Sequence, residues 1–207
     1  MEGKAGGPNL IFFDTRLSNT ATHADHWLPS YPGSEPAVLL SIANHLVQKG
    51  AYNRDFVRRW WNWREYLARE HPELAPTFES FEGVLHELYQ GFTFEFAARE
   101  SGLSAAVIEQ VAEIVAGAGT RLATHNWRSA AAGNLGGWQT SRCIFLLNAL
   151  LGAVATEGGT YPNTWNKFVP RPIHVPRHPT KWNELTWPPE YPLATNELSF
   201  LLPHLLK

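Results

Sequence analysis

The chain has 207 residues, enough for one ordinary domain or slightly more, and 44% of them are hydrophobic, which is ample for a core. The net charge is −2, so there is no basic excess to attract nucleic acid, and no apolar run is long enough to span a membrane. The single cysteine, Cys143, excludes an internal disulfide framework and any cysteine-only metal site. Its apolar helical surroundings indicate a small buried hydrophobe.

The first predicted element is a buried parallel strand, because the apolar run at residues 11–13 ends in Asp14. Asp14 then stands at the carboxyl edge of a sheet, where open α/β sheets bind nucleotides. It is either an anchor for a ribose or a base, or a turn residue that satisfies nearby amides. Arg16 either pairs with a phosphate or is an ordinary surface arginine. Asp25 is interpreted as a local cap.

A turn over residues 32–35 leads into a helix that ends at Gly50. Ser34 is a good N-cap, and Pro36 suits a first helical turn. Free amides and the helix dipole favour an acceptor-rich or anionic ligand there, so Gly33, Ser34 and Glu35 are candidate ligand contacts. Alternatively, Glu35 only complements the dipole.

Four more helices are predicted from their capping residues and apolar spacing. The caps are Asn53, for one helix that runs to Pro72, and then Thr77, Thr93 and Ser104.

A second strand is predicted over residues 120–127, followed by a glycine turn and a long apolar helix from Trp138 to Leu151. Trp127 ends this strand, and Gly133 and Asn134 open the turn, so all three are candidates for contact with a cofactor. Glycines there permit either a close approach of a ligand or tight packing of helix on strand. The spacing departs from the dinucleotide-binding fingerprint, so an ordinary NAD site is poorly supported.

This order of elements predicts an α/β fold, a Rossmann-like layered domain with parallel strands and a helical insertion. Residues 1–160 are expected to form this domain, and residues 161–207, rich in proline and tryptophan, an extended arm. Two strands are too few for a complete sheet. We therefore expect the chain to be a fragment of a larger multi-domain protein.

The order of several short motifs resembles the central region of the molybdopterin oxidoreductases of the DMSO reductase type. These motifs are Asp14-Thr15-Arg16, Thr20-Ala21, Ala24-Asp25, Leu28-Pro29, Pro32-Gly33-Ser34-Glu35, Phe94-Glu95-Phe96, Leu147-Asn148-Ala149 and Glu157-Gly158-Gly159. The resemblance covers roughly residues 10–160. Thr15 replaces the usual proline, and Glu35 replaces the usual aspartate and reaches one methylene further.

The resemblance implies that Asp14 contacts the guanosine part of a molybdopterin guanine dinucleotide and that the turn from Gly33 to Glu35 lies against the guanine. The turn near Trp127 and Gly133 would approach a second pterin dinucleotide. The metal would be molybdenum or tungsten. An iron-sulfur cluster is expected, if anywhere, in the full-length protein and not in this chain, because one cysteine cannot hold it.

The resemblance further implies a two-electron oxidoreductase acting on a small-molecule substrate, together with the remaining domains of the catalytic subunit and electron-transfer subunits. This chain would anchor the cofactor, with no catalytic residue and no metal ligand of its own, and would be inactive alone. Two alternatives stay open. One is a nucleotide-binding enzyme of another class, and the other is a non-catalytic structural or interaction subunit on the same fold.

Overall fold

The computed structural model describes residues 7–126 and 136–161. This part of the chain is mixed α/β, with a two-stranded sheet and seven helices. Strand β1 (Ile11–Phe13) pairs in parallel with β2 (His26–Leu28), and the register places Phe13 beside Leu28. The helices are α1 (Glu35–Gln48), α2 (Arg54–Trp60), α3 (Trp63–Glu70), α4 (Phe78–Tyr89), α5 (Phe94–Ser101), α6 (Ala105–Ala118) and α7 (Gly137–Leu151).

The predicted starts of four helices are confirmed by their capping side chains. Asn53 accepts a hydrogen bond from the Phe56 amide at 3.0 Å, and Thr77, Thr93 and Ser104 each accept one from the amide three residues further on. Such a cap satisfies one of the amide groups that a helix leaves free in its first turn. Short polar residues at these positions therefore determine where the helices begin.

The single helix predicted after Asn53 is wrong, because the structure has two helices there. The chain is extended at Trp61, with ψ at 144°, and α3 starts two residues later. This break turns the Trp63 ring into the core, where it packs edge-on against Phe78 with centroids 5.4 Å apart. Burial of that ring compensates for the helical hydrogen bonds lost at the break.

The predicted strand over residues 120–127 is also wrong in the described part. Gly119–Arg121 is a 3-10 turn, and residues 122–126 contain no strand. Side chains hold this segment instead: Asn148 of α7 donates to the Leu122 carbonyl at 2.8 Å and accepts from the Thr124 hydroxyl. One buried amide therefore supplies hydrogen bonds that a neighbouring strand would otherwise give.

Helix α1 lies at the centre of the core and packs against α4, α5, α6 and α7. Its Val38, Ile42 and Leu46 side chains are at most 1% exposed. Each fully buried aliphatic side chain contributes about 1.5–3 kcal/mol relative to exposure. This packing fixes the position of the amino terminus of α1, which is the part of the helix that matters for the candidate site.

A charged cluster connects the start of α2 to α4. The Arg54 guanidinium donates to both carboxylate oxygens of Glu82, at 2.7 and 2.8 Å, and to Glu79 at 3.0 Å. The hydrogen bonds from Arg54 hold the pKa of Glu82 below its usual range, against the opposing effect of burial. The Glu82 side chain is only 18% exposed, so this pair is shielded better than an ordinary surface ion pair.

Replacing Glu82 with glutamine is expected to weaken the pH dependence of stability. A carboxyl whose folded pKa is lowered stabilises the fold above its unfolded pKa of about 4.3, and this stabilisation is lost as pH falls through the folded value. Urea unfolding of Glu82→Gln between about pH 7 and pH 3 should show a shallower decline than the unsubstituted chain. Glu87→Gln, an exposed change on the same helix, should retain the original decline. Identical curves for all three proteins would contradict this account.

Across the described residues, no single helix combines the length and apolar composition needed to cross a membrane. In the part of the chain that the structure describes, α5 taken together with the segment from Ala105 to Arg121 meets those criteria, as a pair bent by 118°.

Candidate functional site

The candidate site lies at the carboxyl edge of the two-stranded sheet. The strands are parallel, so the residues that follow both of them leave the sheet at the same edge. The Asp14 amide continues the pairing by donating to the Leu28 carbonyl at 3.3 Å. After Leu28 the chain turns and enters α1 at Glu35. The structure thus brings the end of β1 and the turn before α1 to the same edge of the sheet.

The turn before α1 is built on Gly33, whose φ of +87° favours glycine. Apart from Gly33 and its two chain neighbours, no described residue has an atom within 4 Å of the position that a Gly33 Cβ would occupy, so the backbone is open on this side. Ser34 occupies the predicted N-cap position of α1, but its side chain does not form the capping hydrogen bond. Its hydroxyl points backwards and donates to the Tyr31 carbonyl at 2.6 Å, and the first turn of α1 has no side-chain cap.

The same turn is fixed from behind by the junction of α5 and α6. The Tyr31 amide donates to the carbonyl of the fully buried Ser101 at 3.0 Å. The Tyr31 ring lies over Gly102, where a Cβ would come within 2.6 Å of the ring. The sequence analysis did not predict these contacts. The signal that could have indicated them is Gly102, the glycine at which α5 ends. The contacts of Tyr31 with Ser101 and Gly102 hold the turn in a fixed position against the junction of α5 and α6.

Glu35 carries the clearest unmet hydrogen-bonding capacity of the site. Its Oε2 atom is buried and has no hydrogen-bond partner among the described residues. An unpaired buried carboxylate oxygen is costly, and the positive end of the α1 dipole offsets only part of that cost. The alternative role of Glu35, in which it only complements the helix dipole, therefore does not account for the unpaired Oε2 atom. A ligand that donates N–H groups at this point would satisfy it.

The Asp14 carboxylate is engaged in its own turn. It accepts from the Arg16 amide at 3.1 Å and is hydrogen-bonded by Ser18, and these bonds, Ser18 first, lower the pKa of Asp14. The turn interpretation is therefore what the geometry shows. A carboxylate offers about four lone-pair sites, so Asp14 keeps capacity to accept further hydrogen bonds. The Arg16 side chain is exposed, and the Trp27 indole donates to the Asp14 carbonyl at 2.7 Å.

Comparison with known proteins identifies the family. No family model matches the sequence. The molybdopterin-containing subunit PhsA of thiosulfate reductase from Salmonella typhimurium is 30% identical over 162 residues, which cover 78% of this chain and 19% of that protein. The molybdopterin-containing subunit ArrA of arsenate respiratory reductase from Chrysiogenes arsenatis is 26% identical and covers 77% of this chain and 19% of that protein. The chain belongs to the molybdopterin oxidoreductases of the DMSO reductase family.

A solved structure supports the same fold. Acetylene hydratase from Pelobacter acetylenicus superposes with a TM-score of 0.51 at 23% identity, over 69% of this chain and 17% of that one. The curated relatives confirm the family that the sequence motifs resemble. The chain spans 19% of the length of the two curated relatives.

The second half of the predicted cofactor site of this oxidoreductase segment falls largely outside the described residues. Trp127, Gly133 and Asn134 all lie there, so their roles stay predictions. Asn126, the last described residue before this gap, donates a hydrogen bond from its side-chain amide to the Ser141 hydroxyl at 2.5 Å. Gly136, with φ at +88°, precedes α7. The structure therefore places the site residues of the first half only.

Asn148 has a structural role in this oxidoreductase segment that was not predicted from the sequence. It is 1% exposed, and besides Leu122 and Thr124 its amide contacts the Thr160 hydroxyl at 3.0 Å. A polar residue on an otherwise apolar helical face was the available signal. The amide connects α7 with the segments on either side of it in the chain, and so fixes the path towards Asn126.

Among the described residues, no three histidine, cysteine, aspartate or glutamate side chains come together in a way that could hold a metal. Asp25, between two histidines, accepts a hydrogen bond from the Leu10 amide at 2.7 Å. The local cap predicted for Asp25 is wrong, because this bond links the residues that precede β1 and β2. Cys143 is buried in α7, and burial raises the pKa of its thiol. A protonated buried thiol is a poor metal ligand, in agreement with the interpretation of Cys143 as a core residue.

Proposed function

We propose that this chain anchors the guanine dinucleotide end of the cofactor in a molybdenum or tungsten bis-pterin oxidoreductase. The observation that supports it most is the buried Oε2 of Glu35 at the amino terminus of α1, which has no hydrogen-bond partner within residues 7–126 and 136–161. Guanine carries N–H donors, including its exocyclic amino group. A carboxylate acceptor facing such donors forms charge-assisted hydrogen bonds, which are stronger than neutral ones.

The surroundings of Glu35 fit a nucleotide. The open backbone at Gly33 allows a planar base to approach closely, and the amino terminus of α1 favours acceptor-rich groups. Asp14 has remaining acceptor capacity for ribose hydroxyls, and the exposed Arg16 is free to meet a phosphate. The residues present therefore suit the two ends of a nucleoside phosphate. Ser34, whose hydroxyl is engaged by Tyr31, would contribute through its backbone.

In the full-length protein the bound metal and pterins would supply two-electron redox chemistry on a small-molecule substrate. This chain would bind and orient the nucleotide tail and supply no reacting atom. We propose that β1 and β2 belong to a wider Rossmann-like sheet completed by other parts of the catalytic subunit, since two strands bury little apolar surface. Electron-transfer subunits are proposed as partners, because the reaction needs a source or an acceptor of electrons.

Replacing Glu35 with glutamine in the full-length protein is expected to weaken cofactor retention by on the order of 10–100-fold, because a hydrogen bond to a charged group contributes about 1.5–3 kcal/mol. Metal content and guanine nucleotide released by acid should be measured after extended dialysis. Asp14→Ala should cause a smaller loss of cofactor, because part of its carboxylate already serves the local turn.

The matched control is Glu109→Gln, which makes the same change at an exposed position of α6 and should retain the cofactor. A Glu35→Gln protein with full metal and nucleotide content would refute the anchoring role. A folded full-length protein that never contains molybdenum or tungsten would instead favour the non-catalytic subunit.

A further inference from the structure

Three arginines on α2 and α3 stack on aromatic rings, and one of them, Arg58, also interacts electrostatically with the Glu79 carboxylate. Three guanidinium groups lie over aromatic rings: Arg58 over Phe78 at 5.9 Å, Arg59 over Trp60 at 5.3 Å and Arg64 over Trp63 at 4.3 Å. None of the ion pairs within the described residues involves any of the three. Arg54, by contrast, is fully engaged with glutamates. Stacking holds a guanidinium flat and leaves its N–H edge available for a carboxylate.

An exposed tryptophan stands beside these cations. Trp60, the last residue of α2, is 66% exposed, although its ring is large and apolar. Tryptophan and arginine are the residues that most often dominate the energetics of protein interfaces. Their combination on a short stretch of helix surface is therefore typical of an interaction surface, and the described residues do not cover it.

A groove adjoins the same surface. It has a volume of about 160 Å³ and is lined mainly by apolar and aromatic side chains, including Trp61, Trp63, Tyr66, Phe81, Leu85 and Tyr89. Trp63 belongs both to the groove and to the stack beneath Arg64. An apolar cavity of about 150 Å³ can hold a benzene-sized group, so the groove has room for one apolar side chain.

We propose that this α2–α3 face, consisting of Arg58, Arg59, Trp60, Arg64 and the adjoining groove, binds an acidic peptide segment of a partner protein. Carboxylates of the segment would pair with the stacked guanidinium groups, and one apolar side chain would enter the groove. The inference does not rest on the proposed cofactor role, since none of these residues belongs to that site.

Charge favours an acidic protein over other anionic partners. Nucleic acid is recognised by a stripe or patch of many lysines and arginines, whereas this face has three arginines. Anionic membranes are recognised by clusters of about 4–8 lysines and arginines, more than this face offers. Planar, stacked guanidinium groups suit carboxylates, which they bind with two parallel hydrogen bonds.

The test uses the full chain and a fluorescein-labelled synthetic peptide of glutamates around one central leucine. Anisotropy titrations should show saturable binding that weakens with added salt. Joint replacement of Arg58 and Arg64 by glutamate should weaken it by about tenfold or more, since removal of interface hot spots costs at least this much. Trp60→Ala, and a peptide with alanine in place of leucine, should each weaken binding several-fold.

Arg99→Glu is the matched control, an exposed arginine on α5 that should leave binding unchanged. Circular dichroism should show that the variants stay folded, and Arg58→Gln with Arg64→Gln replaces the charge reversal if they do not. The proposal is overturned if the glutamate peptide does not saturate, if Arg99→Glu weakens binding equally, or if a lysine version of the peptide binds as well. Tighter binding of phosphatidylserine vesicles or of single-stranded DNA than of the peptide would also overturn it.

Discussion

Replacing Trp63 with alanine is expected to lower the free energy of unfolding by about 3–5 kcal/mol, the usual cost of truncating a buried tryptophan. The Trp63 side chain is 3% exposed, packs against Phe78 and Phe81, and donates its indole N–H to the Arg58 carbonyl at 3.0 Å. Alanine would leave a cavity between α3 and α4 and would remove the indole partner of the Arg58 carbonyl in α2. Urea unfolding followed by circular dichroism measures the change.

Trp60→Ala is the matched control, because the same side chain is removed from a position that is 66% exposed. Surface substitutions away from packed features stay within about 0.5 kcal/mol. Similar destabilisation by both variants would show that Trp63 does not occupy the core as described, and that the break in the chain at Trp61 needs another reason.

Replacing Asn148 with leucine is expected to lower the free energy of unfolding by about 2–4 kcal/mol, although leucine has a similar size. Each buried polar group left without its partner costs about 1–3 kcal/mol. The substitution would remove the partners of the Leu122 carbonyl and of the Thr124 hydroxyl, and one contact of Thr160. The apolar gain of leucine offsets part of this loss.

Hydrogen exchange locates the same effect within the chain. Amides of residues 122–126 should exchange faster in Asn148→Leu, because that segment is held by the Asn148 side chain and not by a strand. Asn19→Leu, at an exposed position outside the helices, should change neither stability nor exchange there. Unchanged protection of residues 122–126 in the Asn148 variant would contradict the role assigned to this amide.

Much of the helical structure could be predicted from the sequence because it follows local rules. A polar cap and a 3.6-residue apolar period specify a helix within a few residues of chain, and Asn53, Thr77 and Ser104 act as predicted. The break at Trp61 could not be predicted in this way. It contains no proline or glycine, and its reason is the burial of Trp63 against a helix further along the chain.

The strands were harder to predict because they depend on pairing between distant residues. β2 has only three residues, too few to show a period of two, and it forms because its register with β1 is available. The predicted strand after residue 119 failed for the opposite reason. Its sequence suits an extended chain, but a buried asparagine on α7 takes the place of a neighbouring strand.

The candidate site was predictable in its residue types but not in its hydrogen bonds. The sequence predicted Asp14 at the end of a strand and Glu35 in a turn that leads into a helix, and the structure places both residues so. It could not show that Asp14 is occupied by its own turn, or that Glu35 retains an unpaired buried oxygen. That difference shifts the main acceptor of the proposed nucleotide site from Asp14 to Glu35.

The most direct test of the proposed anchoring role is a structure of the full-length protein with its cofactor bound. We expect the N–H groups of the guanine to lie about 2.7–3.2 Å from the carboxylate of Glu35, at the amino terminus of α1. A guanine bound elsewhere, with the Glu35 carboxylate paired instead to a donor from another part of the protein, would contradict the account.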